Sequence, residues 1–248
     1  MFELEISASS RVGCIRSNNE DMLLVGNTFV RDAALNARVA LSECDRYLLA
    51  LADGMGGHNC GEVASSDVLH NLQFFYNDLP TGLKTVDFNE MVFEWLENMK
   101  MIIDAKGRSA SRFDNMGTTL VAFAYFNKEF YWMNCGDSRF YHMQKGMLRQ
   151  LSTDHSLNTL LGSSEHSNVL TNCIGAGCTD CYLDLVSFTD ELQAGDVLLL
   201  CSDGLTDMLS DEQLQNLLND GADANTLCLA AEDAGGFDNV SAIVVSVV

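Results

Sequence analysis

The chain of 248 residues carries 14 basic and 35 acidic side chains, which gives a formal net charge of −21, and 47% of its residues are hydrophobic. Such a composition is typical of a folded globular protein and excludes a disordered one. The strong negative charge argues against nucleic acid or anionic membranes as partners. It would also repel a phosphorylated substrate unless cations were bound nearby. The length predicts one domain over residues 1–248.

The cysteines and the N-terminal segment predict a cytoplasmic protein. Nine cysteines are scattered along the chain, and most of them lie in apolar runs where a reduced thiol packs as a small hydrophobic group. The odd count and the lack of a compact cysteine framework favour a reducing compartment. The first residues, MFELEISASS, show no signal peptide. No apolar run approaches the ~20 residues that a membrane helix needs.

In the first half of the chain, strand patterns give way to helical ones. Residues 2–8 alternate between apolar and polar side chains, and residues 22–25 and 47–52 are short apolar runs, so all three are predicted strands. Apolar residues then recur at helical spacing over residues 68–79 and 88–103, with Pro80 and Gly82 between them. The aromatic and methionine stripe of the second helix indicates core packing and not a cofactor site.

In the second half, strands return and two short helices precede the last strand. A polar loop over residues 107–115 leads to predicted strands at 118–126, 129–134, 140–143 and 197–201. Ser210 and Gln213 form a capping-box pattern that opens a helix through residue 218, and a helical stretch follows at 226–234. Residues 241–248 form a closing strand. The order of elements predicts an α+β domain with sheets packed against helices.

Carboxylates recur at the ends of the predicted strands, often beside a glycine. An isolated turn aspartate is common, but four of them at separate strand ends suggest a shared purpose, because a carboxylate there needs a compensating charge. Oxygen ligands without a His or Cys ligand pattern select hard cations such as Mg²⁺ or Mn²⁺. The candidate residues are Glu20 with Asp21, Asp53, Asp137, Asp203 and Asp238.

A separate Cys-x-x-Cys pair, Cys178 and Cys181, has Cys173 and His166 upstream of it. A single pair of this kind is weak support for zinc or redox chemistry. We interpret the segment as a surface loop that contains these cysteines incidentally.

Seven segments, taken together, resemble the bacterial metal-dependent protein phosphatases of the type 2C family. They occur in the family's order along nearly the whole chain. In this sequence they are RSNNED (16–21), ADGMGG (52–57), MGTT (116–119), CGDSR (135–139), LSTDHS (151–156), CSDGL (201–205) and FDNVS (237–241).

The resemblance implies a fold and a site. The family fold is a four-layer αββα sandwich, in which two antiparallel sheets pack face to face and helices flank them. Asp53 corresponds to the family's metal-bridging aspartate, with the Gly54 carbonyl on one ion. The other correspondences are Asp203 and Asp238 as ligands of the first metal, Glu20 or Asp21 reaching the second through water, Asp137 with Asp203 on a third ion, and Arg16 as the arginine that binds the substrate phosphate.

The implied activity is hydrolysis of phosphoserine and phosphothreonine in proteins, by in-line attack of a metal-bridging water. Arg16 and Asp53 would then be the catalytic residues, and two to three Mn²⁺ or Mg²⁺ ions the cofactors. The expected partners are phosphorylated proteins, either substrates of a cognate Ser/Thr kinase or the kinase itself. Bound cations would also make this acidic chain locally attractive to phosphate.

The chain departs from the family pattern in two places. Many eukaryotic members carry a histidine directly after the Asp-Gly pair, where this chain has Met55. The nearby His58 is expected to be structural or to support a metal ligand, and not to be catalytic. The segment 162–167 is shorter than the flap of relatives, and loops of this kind set substrate choice.

Two alternatives to a protein phosphatase remain. The same hydrolase could act on small phosphoesters, since no pocket signal excludes them. The chain could also be an inactive relative that serves as a binding module. A chain of the second kind usually lacks some of the metal aspartates, and here all of them are present together with Arg16.

Overall fold

The computed structural model describes residues 2–56, 60–162 and 169–248. Its strands, in chain order, are β1 (Glu3–Arg11), β2 (Met22–Val25), β3 (Thr28–Val30), β4 (Ala33–Ala40), β5 (Arg46–Ala52), β6 (Gly54–Met55), β7 (Gly117–Thr118), β8 (Leu120–Phe126), β9 (Glu129–Cys135), β10 (Arg139–Gln144), β11 (Met147–Gln150), β12 (Ile174–Gly175), β13 (Asp184–Ser187), β14 (Val197–Cys201) and β15 (Val240–Val247). The helices are α1 (Gly61–Asp78), α2 (Thr85–Ser109), α3 (Leu157–Leu161), α4 (Asp203–Thr206), α5 (Asp211–Asn219) and α6 (Ala224–Asp233).

Two six-stranded antiparallel sheets form the centre of the fold. Sheet I has the order β11-β10-β14-β15-β1-β4, and sheet II has the order β13-β9-β8-β5-β2-β3. A small third sheet, β12-β7-β6, adjoins them. The long central pairing of sheet I runs from Leu4 opposite Val247 to Arg11 opposite Val240. This register brings the end of β1 and the start of β15 to the same edge.

Three apolar layers hold the sheets and helices together. The middle layer lies between the two sheets, where Phe123 of sheet II stacks on Phe140 of sheet I with ring centroids 6.1 Å apart. The second layer joins sheet II to α1 and α2, and the third joins sheet I to α4, α5 and α6. The central strands therefore bury both faces, as face-to-face sheets covered by helices require. The predicted four-layer αββα sandwich is confirmed.

The strand predictions are confirmed for the strongest patterns, and the differences have simple causes. The predicted strands at 22–25 and 197–201 match β2 and β14. The single strand expected at 118–126 is divided at Thr119 into β7 and β8, because β7 pairs with β6 and β12 and leaves sheet II. Strand β4 was not predicted, since its burial pattern is mostly intermediate or exposed and the sequence lacks an apolar run.

Both long helices are confirmed, and the second is longer than expected. Trp95, Met99 and Ile103 on its stripe are buried, which confirms the core interpretation. The predicted loop from residue 107 is wrong at its start, because α2 continues to Ser109. The last turns pack on the single-turn helix Ser111–Phe113, where Lys106 Nζ lies 5.4 Å from the Phe113 ring centroid.

The helix α5 begins with the predicted capping box. The Ser210 side chain accepts a hydrogen bond from the Gln213 N–H, and the Gln213 side chain accepts one from the Ser210 N–H. Leu214 and Leu218 of this helix are buried against sheet I. Among the described residues, no helix is long and apolar enough to cross a membrane.

Candidate metal centre

The strands deliver the predicted carboxylates to one edge of the sandwich. In sheet II, Met22 pairs with Ala52, so Asp21 and Asp53 leave neighbouring strands at the same edge. In sheet I, Cys201 pairs with Ala242, which places Asp203 and Asp238 at the matching edge. The apolar strands thus act as rigid supports that hold charged side chains at the edge of the core, where burial is costly unless the charge is compensated.

The backbone of Asp53 is held by two threonines. Its N–H donates to Thr119 Oγ1 at 3.0 Å, and its carbonyl accepts from the Thr119 N–H at 2.9 Å and from Thr118 Oγ1 at 2.8 Å. These three hydrogen bonds leave the Asp53 backbone without freedom at the strand end, so the carboxylate is presented in a fixed direction.

Gly54 is required by a close approach of the chain to helix α1. The Gly54 N–H donates to the Glu20 carbonyl at 3.2 Å, and a Cβ at position 54 would lie 2.1 Å from the Gly61 carbonyl oxygen. The Glu20 carboxylate in turn accepts from the Gly61 N–H at 3.2 Å, at the start of α1. A positive helix end therefore stabilises Glu20 beside the predicted site.

Asp21 lacks a full set of partners although it is completely buried. Its Oδ2 accepts from Ser202 Oγ at 2.9 Å, whereas Oδ1 is buried without a hydrogen-bond partner among the described residues. Burial raises the pKa of Asp21 to about 7. An unpartnered buried carboxylate oxygen is costly, and a nearby hydrated cation would relieve that cost. This position fits a divalent ion reached through water.

Burial and neighbouring carboxylates raise the pKa of three of the predicted ligands. Burial raises the pKa of Asp53 well above its ordinary value, and the charges of Asp21, Asp203, Asp137 and Asp238 raise it further. Burial and the charge of Asp203 raise the pKa of Asp137 to about 7. Burial, followed by the charges of Asp207 and Asp238, raises the pKa of Asp203 to about 6. Buried carboxylates of this kind are unfavourable as anions, and a divalent cation would stabilise their charged form.

The described side chains do not form a complete set of ligands around one position. Within residues 2–56, 60–162 and 169–248, no three His, Cys, Asp or Glu side chains converge closely enough to hold one ion between them. The donor set still fits Mg²⁺ or Mn²⁺, because it consists of carboxylates and a backbone carbonyl without a sulfur or imidazole ligand. The assignment of Asp53, Asp137, Asp203 and Asp238 to particular ions stays a prediction.

Arg16 contacts a predicted metal ligand. Its Nη2 donates to Asp238 Oδ2 at 2.6 Å, and the Asp238 carboxylate raises the pKa of the guanidinium. About half of the Arg16 side chain remains exposed to solvent. The guanidinium is thus the positive group that balances Asp238 here, and its remaining donors are accessible to a phosphate.

Several residues that support the site had no predicted role. Asn239 donates from Nδ2 to the Asn18 carbonyl at 2.8 Å and accepts from the Glu20 N–H at 2.8 Å, so it fixes the segment that carries Arg16 and Glu20. Ser202 donates to Asp21. Thr118, Thr119, Ser202 and Asn239 all lie in the segments that carry the family resemblance, and this was the signal available in the sequence.

Two further segments that carry the family resemblance, residues 135–139 and 151–156, are joined by hydrogen bonds. Arg139 makes hydrogen bonds from Nε and Nη2 to the Asp154 carboxylate at 2.7–3.1 Å. The next residue, His155, accepts from the Gly136 N–H at 3.1 Å through Nδ1. The turn that carries Asp137 is therefore fixed on both sides.

The cysteines of the Cys-x-x-Cys segment differ from the expected surface loop. Cys173 is buried, and Cys181 Sγ lies 3.8 Å from the Sγ of Cys135 at the end of β9. Burial and the neighbouring Cys178 and Cys181 thiols raise the pKa of Cys173 to about 12. The segment thus contacts β9 of sheet II through Cys181, and its short strand β12 pairs with β7 of the third sheet.

Some expectations fall on residues outside the described part of the chain. His58, His166 and most of the shortened segment 162–167 belong to this group. Met55 is described and lies in β6, where it pairs with Gly117.

Gly204, which follows Asp203, offers a test of the local packing. A Cβ at this position would lie 2.0 Å from the Asn239 carbonyl oxygen. We expect Gly204→Ala to destabilise the protein by roughly 2 kcal/mol or more, since backbone must shift to make room. Urea unfolding would measure the loss. Gly107→Ala in helix α2 is the control, because its nearest contact would be 3.4 Å and the helix favours alanine.

Comparison with known proteins gives a consistent result. The family described as Protein phosphatase 2C matches residues 25–232. The chain is 32% identical to Protein phosphatase PhpP of Streptococcus pneumoniae, over 98% of this chain and 97% of that protein.

Solved structures of phosphatases share the fold. The serine/threonine phosphatase of S. agalactiae superposes with a TM-score of 0.83 at 27% identity, covering 98% of this chain and 99% of that one. The catalytic domain of the serine/threonine protein phosphatase PstP, in complex with two manganese ions, gives a TM-score of 0.74 at 30% identity with both chains fully covered. The family match covers most of the chain, and PhpP is similar to it over nearly its whole length. The chain therefore belongs to the protein phosphatase 2C family.

Proposed function

We propose that Arg16 and the strand-end carboxylates carry out the reaction of this chain, a metal-dependent serine/threonine protein phosphatase. One observation carries the proposal: Asp21 and Asp53 leave neighbouring strands of sheet II at the edge that matches the one where Asp203 and Asp238 leave sheet I, and Arg16 binds Asp238 there. A set of facing carboxylates is unfavourable for stability, and a site for divalent cations explains it.

The proposed cofactor is Mn²⁺ or Mg²⁺, in two to three ions, and the manganese-bound PstP structure supports this choice. Asp53, Asp203 and Asp238 with the Gly54 carbonyl would hold the ions, Asp137 would contribute to a third, and Glu20 or Asp21 would bind through water. When bound, such ions lower the pKa of water and neutralise charge on phosphoryl oxygens.

The residues of the chain position the substrate. Arg16 would bind two phosphoryl oxygens with its planar guanidinium, and the hydrogen bond to Asp238 orients it for that contact. Asn239 fixes the segment behind Arg16, so little side-chain freedom is lost when the phosphate binds. Met55 offers no proton to the leaving oxygen, so we propose that solvent supplies it.

The proposed substrates are proteins phosphorylated on serine or threonine by a kinase of the same cell, or that kinase itself, as part of a signalling pathway. We propose a cytoplasmic location, because the nine cysteines are scattered along the chain without a compact framework, as in proteins of a reducing compartment. We also propose that residues 1–248 form a single catalytic domain.

A comparison of three substrates tests the proposed activity. In the presence of Mn²⁺, we expect hydrolysis of a phosphothreonine peptide and of its phosphoserine counterpart, and far slower hydrolysis of the phosphotyrosine peptide. Rapid hydrolysis of small phosphoesters without activity on either phosphopeptide would favour a small-molecule phosphatase. Inactivity of the folded, metal-loaded protein on all of these substrates would favour a regulatory module.

Arg16→Ala is expected to weaken phosphate binding more than turnover. Loss of a bidentate charged contact costs about 1.5–3 kcal/mol, so KM for a phosphothreonine peptide should rise roughly 10- to 100-fold. Steady-state kinetics at saturating Mn²⁺ would measure the split between KM and kcat. Arg149→Ala is a suitable control, because that arginine pairs with Glu191 on the surface. An unchanged KM in Arg16→Ala would remove Arg16 from the site.

A further inference from the structure

Two loops beside the candidate site are joined by an ion pair and hydrogen bonds. We name them the rim loops (residues 12–18 and 235–239). Arg16 in the first pairs with Asp238 in the second at 2.6 Å. Asn239 also donates from Nδ2 to two carbonyl oxygens of the first loop, at 3.0 and 2.8 Å. The rim loops are therefore fixed relative to each other before any substrate arrives.

Two exposed apolar side chains lie between contacts that join the rim loops. The Cys14 N–H donates to the Gly236 carbonyl at 2.8 Å, and the Arg16–Asp238 pair forms the next contact along both loops. Ile15 and Phe237 lie between the two contacts, and they are 67% and 63% exposed. Large apolar side chains on rigid backbone beside a phosphate-binding group offer surface to a ligand.

The ring of Phe237 packs against neighbouring residues on one side. A Cβ on Gly235 would lie 3.3 Å from two ring atoms of Phe237 and 3.4 Å from Met208 Sδ, so the ring folds over Gly235 beside Met208. The acidic residues Glu20 and Glu62 form hydrogen bonds with Asn239 and Asn18 of the rim loops, and their charge would disfavour an acidic side chain on the ligand.

We propose that Ile15 and Phe237 bind an apolar side chain flanking the phosphorylated residue of a substrate protein. This inference rests on the proposed function, in which Arg16 binds the phosphate. An extended peptide advances about 3.3 Å per residue, so with the phosphate on Arg16 the residues one or two positions away reach the adjoining Ile15. The rim loops would then select among phosphoproteins by an apolar flanking residue.

The test uses three phosphothreonine peptides that differ only in the flanking residues, which are glycine, leucine or glutamate. For the wild-type chain we expect kcat/KM about 10-fold higher with leucine than with glycine, and lowest with glutamate. In the double variant Ile15→Ser with Phe237→Ser, the leucine-to-glycine ratio should fall to near one. Phe74→Ser, at a position 73% exposed on α1, is the matched control and should retain both the ratio and the activity.

The outcomes separate the two proposals. Activity on the glycine peptide with no preference for leucine, or a preference that survives in the double variant, would overturn the role of Ile15 and Phe237 and leave the phosphatase intact. Inactivity on every peptide, with metal bound, would contradict the proposed function and this inference together.

A different observation points to a second site, formed by thiols. Cys135, at the end of β9, lies beside the connection to β13, which contains Cys173, Cys178 and Cys181. The sulfurs of Cys135 and Cys181 are 3.8 Å apart, Cys135 is fully buried and Cys181 is partly exposed. Cys181 lies outside regular structure, so it can approach the fixed Cys135 to the ~2.05 Å of a disulfide.

We infer that Cys135 and Cys181 form an oxidative modification site for peroxide. The sulfur of the partly exposed Cys181 would attack one peroxide oxygen, giving a sulfenic acid and releasing water. The Cys135 sulfur would then attack the Cys181 sulfur and release a second water, so that two thiols are oxidised to a disulfide and one peroxide is reduced. A dithiol reductant would reverse the change.

Mass mapping after treatment of the metal-loaded protein with hydrogen peroxide tests this inference. We expect a mass lower by two hydrogens, a cross-link between the peptides of Cys135 and Cys181, and loss of the link in Cys181→Ser but not in Cys178→Ser. Restoration by dithiothreitol should be complete. A cross-link that involves Cys173 or Cys178, or oxidation to sulfinic acid without any cross-link, would overturn the assignment.

Discussion

Replacement of Asp203 by asparagine is expected to lower kcat on a phosphothreonine peptide by roughly 10³-fold or more. Bound cations supply several kcal/mol of transition-state charge stabilisation, and each 1.36 kcal/mol is a factor of ten in rate. Asp203 follows β14 at the edge of sheet I that also carries Asp238, so we assign its charge to the proposed group of metal ligands. Steady-state hydrolysis across a range of Mn²⁺ concentrations would measure the effect.

The fold should survive this change, because asparagine keeps the shape and the pKa of Asp203 is already raised by burial. We expect the metal-free variant to unfold at a temperature equal to or above that of the wild-type chain. Asp233→Asn is the matched control, since Asp233 is exposed at the end of α6. Full activity in Asp203→Asn would contradict the role of this carboxylate, whereas an unfolded variant would direct the test to Asp53→Asn.

The second large effect concerns stability of the metal-free protein, which should decrease as the pH rises from about 4 to about 7. The ordinary pKa of an aspartate is 3.8, and in the folded chain it is raised to about 7 for Asp21 and Asp137 and to about 6 for Asp203. Below pH 4 these groups are protonated in both the native and the unfolded state, so they do not lower the free energy of unfolding. Between pH 4 and 7 the unfolded chain releases protons that the native chain retains, so the free energy of unfolding decreases.

Divalent cations should offset this loss, and more strongly at the higher pH. At 100 times the Kd, a bound ion adds about 2.7 kcal/mol, which for a chain of this size raises Tm by roughly 5–10 °C. We expect that shift with Mn²⁺ at pH 7.5 and less than half of it at pH 5, where protons compete for the carboxylates. Thermal unfolding at both pH values would measure it, with Asp137→Asn as a variant whose pH dependence should be weaker. Equal shifts at both pH values would contradict the coupling.

Parts of the fold could be predicted from local pattern, and others depend on tertiary pairing. Strands β2 and β14 are continuous apolar runs that bury both faces, and α5 begins at a capping box, so the sequence alone indicates them. Strand β4 is half-exposed at the edge of sheet I, so its sequence carries no strong period. The division at Thr119 depends on β12, which joins β7 from more than fifty residues away.

For the site, the sequence indicated which carboxylates end strands but not what holds them. The apolar run before Asp53 indicates a strand that stops at the edge of the sheet, and this follows from burial alone. The hydrogen bonds from Thr118 and Thr119 to Asp53, and those of Asn239 to the loop before Glu20, depend on which strands become neighbours. The cluster around Cys135 was missed for the same reason, since it joins β9 to a connection that lies some forty residues later.

The central claim is that catalysis depends on divalent cations held by the strand-end carboxylates. The most direct measurement is hydrolysis of a phosphothreonine peptide by the chelated protein while Mn²⁺ is titrated back, with bound manganese counted at each step. We expect no activity after chelation, and a return of activity in proportion to bound manganese, with two to three ions per chain at saturation. Full activity of a chain shown to be free of divalent metal would contradict the account.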